Sequence, residues 1–507
     1  MVYLMGVDIG TSTTKVLVID EQGEPLAKAS REYPISAPCP SHAEQNAEWW
    51  WNATIECMRE VLRKDRVNPN EIIAIGLSGQ MHGTVLLGRD LKPLRPAIIW
   101  ADRRSSAQCT RFYEIVGRKK VLDIICNPAM PGFMGPTLLW VKENEPRIFR
   151  ETRKVLLPKD YVRLQLTGSL GTDISDASAT LLFDVRRRGW SSCLSSQLGF
   201  PDDLFPEIFD SVSVAGELAT GALGLPRGIP VVAGGGDSLV GAVGCGVIRE
   251  GVVSSNIGTG GQVFVTLDNF RVDRQHRVHT FCHAVPGKWC LQGAILSAGL
   301  SLRWFRDSMG DAEKSEANEG NIDPYDLLSK EAESAEPGCN GLVFLPYLLG
   351  ERSPHMDPEA RGGFFGLTFQ HRKAHMVRAI MEGVAYALRD CLVVFQDLGV
   401  TPKKIIARGG GARSPLWRQI QADIFNVEIT RTRVEEEAAY GAALLAGVGA
   451  GVYSDLEEAC AKTVQVASTD SPNNDRVKLY DSYYHSIYRK LYPALRGFWP
   501  KTANDIS

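Results

Sequence analysis

The chain has 507 residues, of which 44% are hydrophobic and 23% charged, so it is long enough to bury two or three cores. Its formal net charge of −3 excludes the strongly basic surface that nucleic acids and anionic membranes attract, so we expect no nucleic-acid and no membrane partner. The 11 cysteines form no regular framework, no apolar tract is long enough to cross a bilayer and no signal-peptide pattern opens the chain, so we expect reduced thiols and a cytoplasmic location.

The first half of the chain alternates strand-like with helix-like segments. The predicted strands lie at residues 1–7, 15–19, 25–32, 71–78, 84–87, 96–100 and 229–233, and the predicted helices at 47–64 and 136–143. The first three strands form an antiparallel meander. The last strand ends in Gly234-Gly235-Gly236 and Asp237.

The second half begins near Arg249 and repeats this alternation. It contains a predicted hairpin at 253–265, a helix start at 298–299, a charged surface excursion at 310–338, helices at 375–395 and 438–452 and a strand at 404–407. Strands alternating with helices in both halves predict an α/β protein with mixed sheets flanked by helices. We place the two predicted domains at residues 1–247 and 248–507.

A short turn sequence occurs twice. Asp8-Ile9-Gly10-Thr11 returns 248 positions later as Asn256-Ile257-Gly258-Thr259, and apolar strand-like residues flank both copies. Glycine lets backbone N–H groups approach a ligand closely, and hydroxyl side chains add donors, so such turns suit phosphate oxygens. We therefore predict two similar domains whose turns hold one polyphosphate between them. The alternative is a pair of ordinary hairpins in which Asp and Asn are turn formers.

The two copies differ at their first residue. Asp8 would carry a negative charge toward the phosphates, which requires a cation such as Mg²⁺ between them, whereas Asn256 is neutral. A further glycine-rich junction, Gly409-Gly410-Gly411, follows a strand and precedes a helix. This junction could lie against a flat adenine ring, although a tight strand-to-helix turn would need the same residues. Taken with the duplicated turns, it favours a nucleotide site.

Asp237 is the candidate catalytic residue. It follows a strand and three glycines that clear space, and it precedes a helix start rich in small residues. Ligands of open α/β sheets bind at such strand ends, and a carboxylate there can accept the proton of an attacking hydroxyl during phosphoryl transfer. Local sequence alone favours the alternative, in which Asp237 is the N-cap of the following helix.

Two further segments follow strands and carry candidate substrate contacts. Ser78-Gly79-Gln80-Met81-His82-Gly83 suits a polyol pocket, in which Gln80 and His82 would donate to hydroxyls and Met81 would pack on carbon atoms. The segment could instead be a polar turn. Trp100-Ala101-Asp102-Arg103-Arg104 has a charged pair that would either bind substrate or start a helix.

In this order, the segments resemble the FGGY family of carbohydrate kinases, within the actin-like ATPase superfamily, and in particular its bacterial xylulose kinases. The resemblance runs nearly end to end and implies two actin-like ATPase (ribonuclease H-like) domains with an active-site cleft between them. Besides the first turn, it is carried by Trp100-x-Asp102-x-Arg104, Leu157-Pro158-Lys159-Asp160-Tyr161, Gly235-Gly236-Asp237, Leu345-Pro346-Tyr347 with Gly350-Glu351-Arg352, 360–367 and 409–414.

The resemblance also implies roles for single residues. Asp237 would be the proton acceptor, and Asp8 would support Mg²⁺. The expected phosphate contacts of ATP are Thr11, Ser12, Thr13, Lys15, Thr259 and Gly260, and Gly299, Gly410 and Gly411 would border the nucleoside. The expected sugar contacts are Gln80, Met81, His82, Trp100, Asp102, Arg104 and Ser238.

Three residues depart from the pattern of the xylulose kinases. Ser238 and Ala101 stand where many of them have Asn, and Thr137 stands where Lys is common. Losing amide donors beside the substrate would change which pattern of hydroxyls is preferred.

The expected activity is therefore MgATP-dependent phosphorylation of the terminal hydroxyl of a ketopentose, with D-xylulose as the favoured substrate and D-xylulose 5-phosphate as the product. One alternative is a kinase for another polyol or ketose, such as ribulose, xylitol or glycerol. Another is a nucleotide-switch ATPase like actin or a chaperone, which would leave Met81 and His82 unexplained. The expected partners are ATP and a small sugar, and a homodimer is common in the family.

Overall fold

A computed structural model of the chain describes residues 2–219, 224–320 and 322–499. Residue 1 of the first predicted strand and residues 500–507 of the second predicted domain lie outside the described residues. Among the helices in the described ranges, none is long and apolar enough to span a membrane.

Short and long elements alternate in the first half, up to residue 247. Its strands are β1 (Tyr3–Ile9), β2 (Thr13–Asp20), β3 (Pro25–Glu32), β4 (Glu44–Gln45), β5 (Ile72–Gly79), β6 (Val85–Leu87), β7 (Ala97–Ile98), β8 (Lys154–Leu156), β9 (Thr172–Asp173), β10 (Phe183–Asp184), β11 (Gly189–Trp190), β12 (Ile208–Phe209), β13 (Val214–Glu217), β14 (Pro230–Val232) and β15 (Gly235–Gly236). Its helices are α1 (Ala47–Leu62), α2 (Ser106–Val116), α3 (Arg118–Lys120), α4 (Met134–Asn144), α5 (Pro146–Glu151), α6 (Pro158–Thr167), α7 (Ile174–Ala177), α8 (Ser192–Leu198) and α9 (Asp237–Gly244).

The second half, from residue 248, contains fewer and longer elements. Its strands are β16 (Val252–Ile257), β17 (Gly261–Leu267), β18 (His279–Cys282), β19 (Trp289–Ile295), β20 (Val343–Leu345), β21 (Gly363–Phe365), β22 (Lys404–Arg408), β23 (Ile429–Thr432) and β24 (Val466–Asp470). Its helices are α10 (Gly299–Met309), α11 (Asp311–Gly320), α12 (Pro324–Glu333), α13 (Lys373–Asp397), α14 (Pro415–Phe425), α15 (Glu437–Gly449), α16 (Leu456–Thr463), α17 (Asn474–Tyr483) and α18 (Arg489–Leu495).

Each half is built on a mixed sheet that, within the described ranges, has seven strands. The first has the order β13-β14-β5-β1-β2-β3, with β15 also paired to β5, and the second has the order β18-β19-β17-β16-β22-β23-β24. In both, the strand before the duplicated turn pairs antiparallel with the strand after it and parallel with a later strand. The two sheets thus share a topology around the turn, which confirms the predicted α/β architecture with mixed sheets.

Helix α15 of the second half packs on the sheet of the first half. Gly6 of β1 and Gly76 of β5 lie directly under the backbone of α15, and a Cβ at either glycine would overlap a carbonyl of that helix. Where α15 crosses α9, Gly441 and Gly244 allow the same close approach. Because α9 begins with Asp237, this crossing brings residues of the second half next to the candidate catalytic carboxylate.

Several predicted elements are confirmed, whereas others differ in length or type. The strand at 25–32 has the predicted bounds, whereas the strand predicted at 96–100 is reduced to β7. The predicted surface excursion at 310–338 forms α11 and α12. Helix α12 forms because Asp323 caps its N-terminus, Pro324 takes the first position, and Leu328 and Ala332 are buried one turn apart.

Candidate active site

The candidate site is a cavity of about 770 Å³ between the two halves. From the first half, Thr11, Met81, His82, Trp100, Asp102, Asp237 and Ser238 line it. From the second half, Gln262, Phe281, Gln292, Leu296 and Arg352 line it. A ligand in the cavity would therefore contact both halves at once.

Asp237 stands at the first position of α9, directly after β15. The chain reaches this point through Gly234, whose φ is +77° and whose missing side chain lets the backbone approach Leu77 of β5. The Ser238 N–H donates to Asp237 Oδ1 over 2.6 Å. Burial and the charge of Asp8 raise the pKa of Asp237 to about 7, while Arg408 opposes the rise. A carboxyl with this pKa is suited to accept a proton near neutral pH.

Arg408 is the last residue of β22, and its side chain lies against α9 next to Gly241. Its guanidinium donates through Nε to Glu437 of α15, and it occupies the space that a side chain at Gly241 would need. Gly241 is one helical turn after Asp237. The positive charge of Arg408 therefore comes from the second half and acts on a carboxylate of the first half.

Asp8 is the penultimate residue of β1, just before the first turn. Burial raises its pKa, whereas the Ser78 hydroxyl, which donates to Asp8 Oδ1 over 2.9 Å, and the charge of Lys15 oppose the rise. Lys15 Nζ forms an ion pair with Glu436 of the second half at 2.7 Å. The predicted phosphate contact requires a free ammonium group at the turn, but the ammonium group of Lys15 is paired with Glu436.

Hydrogen bonds from the chain itself stabilise the backbone of the first turn. Gly10 N–H donates to Thr13 O over 3.0 Å, and the fully buried Gln80 donates to Gln45 Oε1 over 2.8 Å and to Gly10 O over 3.4 Å. Gln80 does not line the cavity, so the predicted donation to sugar hydroxyls is replaced by support of the turn. Thr11 and Thr13 are half-buried, and Ser12 is exposed.

Around the second turn, the predicted nucleotide contacts converge. Ala298 N–H and Leu300 N–H each donate to Thr259 O over 3.0 Å, which ties the start of α10 to the turn. Gly299 has no room for a side chain because Gly258 O lies beside it, and Gly260 and Gly411 are packed in the same way against Ile295 and Ile257. At Gly410 a Cβ would meet nothing closer than 4.0 Å. Gly299, Gly260 and Gly411 are therefore required by close packing around the second turn, and Gly410 is the open position among the four.

No group of three or more His, Cys, Asp or Glu side chains that could hold a metal occurs in the part of the chain that the structure describes. Ser78 donates to Asp8 Oδ1, and within the described ranges no side chain donates to Asp8 Oδ2. Mg²⁺ prefers few carboxylates together with water and substrate phosphates. The donor set therefore fits a magnesium ion carried by a nucleotide rather than one held in a protein cage.

His82 is a hydrogen-bond acceptor toward the cavity. Its Nδ1 lies 2.9 Å from Ala179 O, which can only accept, so Nδ1 carries the proton. Burial lowers the pKa of His82 to about 3, so the ring is neutral and Nε2 has a free lone pair. The ring stacks on Phe133 with centroids 3.6 Å apart. The predicted donor is thus an acceptor, because sequence does not reveal the tautomer.

Arg352 is a cavity residue to which sequence reasoning gave no role. Its Nε donates to His279 Nε2 over 3.1 Å, and its guanidinium lies 5.8 Å from the centre of the Phe133 ring. Among the described residues it has no carboxylate partner. Burial and the nearby charge of Arg103 lower the pKa of Arg352 to about 10. The Gly350-Glu351-Arg352 motif was the available signal, but it did not indicate that this side chain faces the cavity.

The segment after β7 divides into a cavity part and a structural part. Trp100 lines the cavity and donates from Nε1 to Thr11 Oγ1 over 2.8 Å. Arg104 is buried, pairs with Asp102 and donates to Glu44 Oε1 over 2.6 Å, and it does not line the cavity. The predicted charged pair is therefore mainly structural, with Asp102 at the cavity wall. On the opposite wall, Gln262 reaches Ser238 Oγ at 3.5 Å across the two halves.

Comparison with known proteins gives the same picture along the whole chain. The family model described as the N-terminal domain of the FGGY family of carbohydrate kinases matches residues 3–244, and that of its C-terminal domain matches residues 253–450. The chain is 38% identical to the xylulose kinase of Escherichia coli K12 (97% of this chain, 99% of that protein) and 36% identical to that of Bacillus subtilis 168 (97% of both). It is 33% identical to the gluconokinase of Bacillus subtilis 168, covering 94% of this chain and 93% of that protein. A crystal structure described as a xyloylose kinase from Brucella ovis superposes with a TM-score of 0.91 at 34% identity, over 98% of this chain and 99% of that one.

Proposed function

The chain belongs to the FGGY family of carbohydrate kinases, and from this premise we propose that it transfers the γ-phosphoryl group of ATP to the terminal hydroxyl of D-xylulose, forming D-xylulose 5-phosphate. The observation that carries the proposal is the position of Asp237, whose carboxylate lines a cavity shared by both halves and has a pKa of about 7. The similarity to xylulose kinases over nearly the whole chain supports this sugar.

In the proposed reaction, Asp237 acts as the general base. Its Oδ1 accepts the Ser238 N–H, and we assign to Oδ2 the proton from O5 of the sugar. O5 forms the new bond to the γ-phosphorus, and the bridging oxygen to the β-phosphate leaves with the electron pair of the broken bond. Positioning and charge neutralisation supply most of the rate in such transfers. Magnesium, held by the phosphates beside Asp8, would neutralise the charge of the phosphate oxygens.

We propose that the sugar is held by groups of opposite hydrogen-bonding character. His82 Nε2 would accept a hydrogen bond from a sugar hydroxyl, and Arg352 would donate to the carbonyl oxygen of the ketose. Met81 and Phe133 would pack against the carbon chain. Trp100, Asp102 and Ser238 would complete the wall, whereas Gln80 and Arg104 would act through the turn and the segment that they support.

We assign ATP to the two turns and to the glycines around the second turn. Thr11, Ser12 and Thr13 with Thr259 and Gly260 would bind the phosphates, Lys15 would do so only after leaving Glu436, and Gly299, Gly410 and Gly411 would border the nucleoside. Residues 1–247 and 248–507 would act as two lobes that close on the substrates and exclude water. A cytoplasmic location and a homodimer remain part of the proposal.

The test is ADP formation, measured with and without each of a panel of ketopentoses, pentitols, glycerol and gluconate. Strong stimulation by D-xylulose alone would support the proposal. Stimulation by ribulose, xylitol or glycerol instead would keep Asp237 as the base and reassign the sugar pocket. ADP formation that no sugar stimulates would favour a nucleotide-switch ATPase.

A second candidate function is phosphorylation of a sugar acid such as gluconate. The favouring observation is the guanidinium of Arg352, which has no carboxylate partner among the described residues and lies close to the positive charge of Arg103. A carboxylate would be the strongest partner for such a group. The 33% identity to a gluconokinase is in line with this candidate, and gluconate is therefore included in the panel.

A further inference from the structure

A cluster of charged side chains is fully buried near the candidate base. Lys159 belongs to α6. Its Nζ lies 2.6 Å from Asp160 Oδ1, 2.9 Å from Asp173 Oδ1 and 3.6 Å from Asp176 Oδ2. Arg163 adds a second cation, 3.3 Å from Asp160 Oδ1. Burying charges is costly unless they are paired, and hydrophobic residues could fill the same volume. A buried cluster of this size therefore calls for a role beyond filling the interior.

The cluster lies directly behind the strand ends that carry Asp237. A Cβ at Gly79 of β5 would be 2.8 Å from Lys159 Cβ, and Gly79 is paired with Gly236 of β15. Arg163 Nη1 donates to Ala233 O over 3.2 Å, directly after the end of β14. The cluster thus contacts the backbone on both sides of the glycine-rich approach to Asp237.

A chain of hydrogen bonds runs from the cluster to the residue before Asp237. Asp173 is paired with Lys159, and its Oδ2 accepts a hydrogen bond from the Ser175 hydroxyl. Ser175 Oγ in turn accepts the backbone N–H of Gly236 over 3.3 Å. Gly236 is the N-cap residue of α9. The orientation of the peptide between Gly235 and Gly236 therefore influences where Asp237, the first residue of the helix, points.

Asp176 links the charges of the cluster to Asp237. Burial raises the pKa of Asp176 well above its ordinary value, the charge of Lys159 opposes the rise, and the charges of Asp173, Asp160 and Asp237 add to it. Neither carboxyl oxygen of Asp176 has a hydrogen-bond partner in the described part of the chain. The cluster is therefore connected to Asp237 by charge as well as by the hydrogen bonds through Ser175.

We infer that Ser175 is a positioning residue for phosphoryl transfer, which fixes the peptide between Gly235 and Gly236, directly before Asp237, and is itself fixed by the Lys159 cluster. The inference rests on the proposed role of Asp237 as the base. A small displacement of a catalytic group slows the chemical step without weakening substrate binding in proportion. Replacing Ser175 should therefore change kcat more than the KM for ATP or the KM for the sugar.

Ser211 provides a matched control. Its hydroxyl donates to the same oxygen, Asp173 Oδ2, over 2.8 Å, and it is equally buried. Its side chain makes no hydrogen bond to Gly236, and its backbone carbonyl, which accepts the Gly234 N–H, is kept in alanine. Ser175→Ala and Ser211→Ala thus remove the same group from the same acceptor, but only the first frees the Gly236 N–H.

The experiment measures kcat, both KM values and the melting temperature of wild type, Ser175→Ala and Ser211→Ala with the best sugar of the panel. We expect kcat to fall roughly tenfold or more in Ser175→Ala, with KM values within about threefold, and to stay within about twofold in Ser211→Ala. Equal losses of kcat in the two variants, or unchanged kcat in Ser175→Ala, would overturn the inference while wild-type turnover leaves the proposed function intact.

A wild type that phosphorylates no sugar of the panel would overturn the proposed function and the inference with it. If Ser175→Ala does not fold, Ser175→Cys is compared with Ser211→Cys. The thiol is a weaker donor and acceptor than the hydroxyl, so the same order of kcat values is expected. The reverse order would contradict the role of Ser175.

Discussion

Asp8 and Asp237 stand on either side of Ser78, and the charge of the first raises the pKa of the second. Ser78 of β5 is paired with Asp8 of β1 on one side and with Gly235 of β15 on the other. Gly235 lies two residues before Asp237. The two carboxylates therefore lie at neighbouring strand ends of one sheet. Burial, together with repulsion from Asp8, raises the pKa of Asp237 to about 7.

The first prediction concerns pH. Because Asp237 must be ionised to act as a base, kcat/KM for the sugar should be constant above pH 8 and fall about tenfold per pH unit below the pKa of about 7. Removing the negative charge of Asp8 makes ionisation of Asp237 easier, so Asp8→Asn should move this acid limb to lower pH and also reduce activity. A limb that stays in place in Asp8→Asn would contradict the coupling between the two carboxylates.

The second prediction concerns Asp237→Asn. The amide keeps the shape and the oxygen that accepts the Ser238 N–H, but it cannot take a proton. We expect ATP affinity to be retained and kcat to fall by roughly 10² to 10⁴. Near-normal turnover would remove Asp237 from the role of base.

Stability should change in the opposite direction in the same variant. The pKa of Asp237 is raised above its ordinary value of 3.8, so ionising it in the folded state has a cost that grows as pH rises from about 4 to about 7. Asp237→Asn removes this cost. Its melting temperature should therefore exceed that of wild type at pH 8 and approach it at pH 4, and a lower melting temperature at pH 8 would argue against a buried, destabilising charge.

Local sequence was sufficient for the parts of the site that depend on neighbouring residues. The duplicated turns, the strand before Asp237 and the glycines at 409–411 are short-range signals, since each needs a specific backbone conformation. Other side chains of the predicted site make contacts with residues far away along the chain. Gln80 reaches Gln45, and Lys15 reaches Glu436 of the other half, and neither partner is visible from the local pattern.

The buried cluster illustrates the same limit. Lys159 and Asp160 were recognised as part of a motif, but Asp173 and Asp176 come from a polar region in which no element was predicted. Charged residues in such a region are usually exposed, and only the fold brings them to Lys159. Arg352 was missed for a related reason, because its neighbours His279 and Phe133 are far away along the chain.

The fourth prediction concerns His82. Because its neutral ring offers Nε2 as an acceptor, His82→Ala should raise the sugar KM by roughly tenfold and leave the ATP KM within about twofold. With a pKa of about 3, His82 does not titrate between pH 5 and 9 and should add no feature to the pH profile in this range. Equal changes in the two KM values would contradict a contact with the sugar alone.

The last prediction separates the two candidate substrates through Arg352. A neutral ketose offers this guanidinium only a carbonyl or hydroxyl oxygen, whereas a sugar acid offers a carboxylate that can accept two parallel hydrogen bonds. Arg352→Met should therefore raise the KM for D-xylulose by roughly tenfold, and that for gluconate, if wild type accepts it, by roughly 10³. Arg352→Lys keeps the charge without the fork, so it should recover part of the loss for gluconate and little for D-xylulose. Steady-state kinetics of the three proteins with both sugars provide the measurement, and a sugar KM that is unchanged in Arg352→Met would exclude the residue from the sugar pocket.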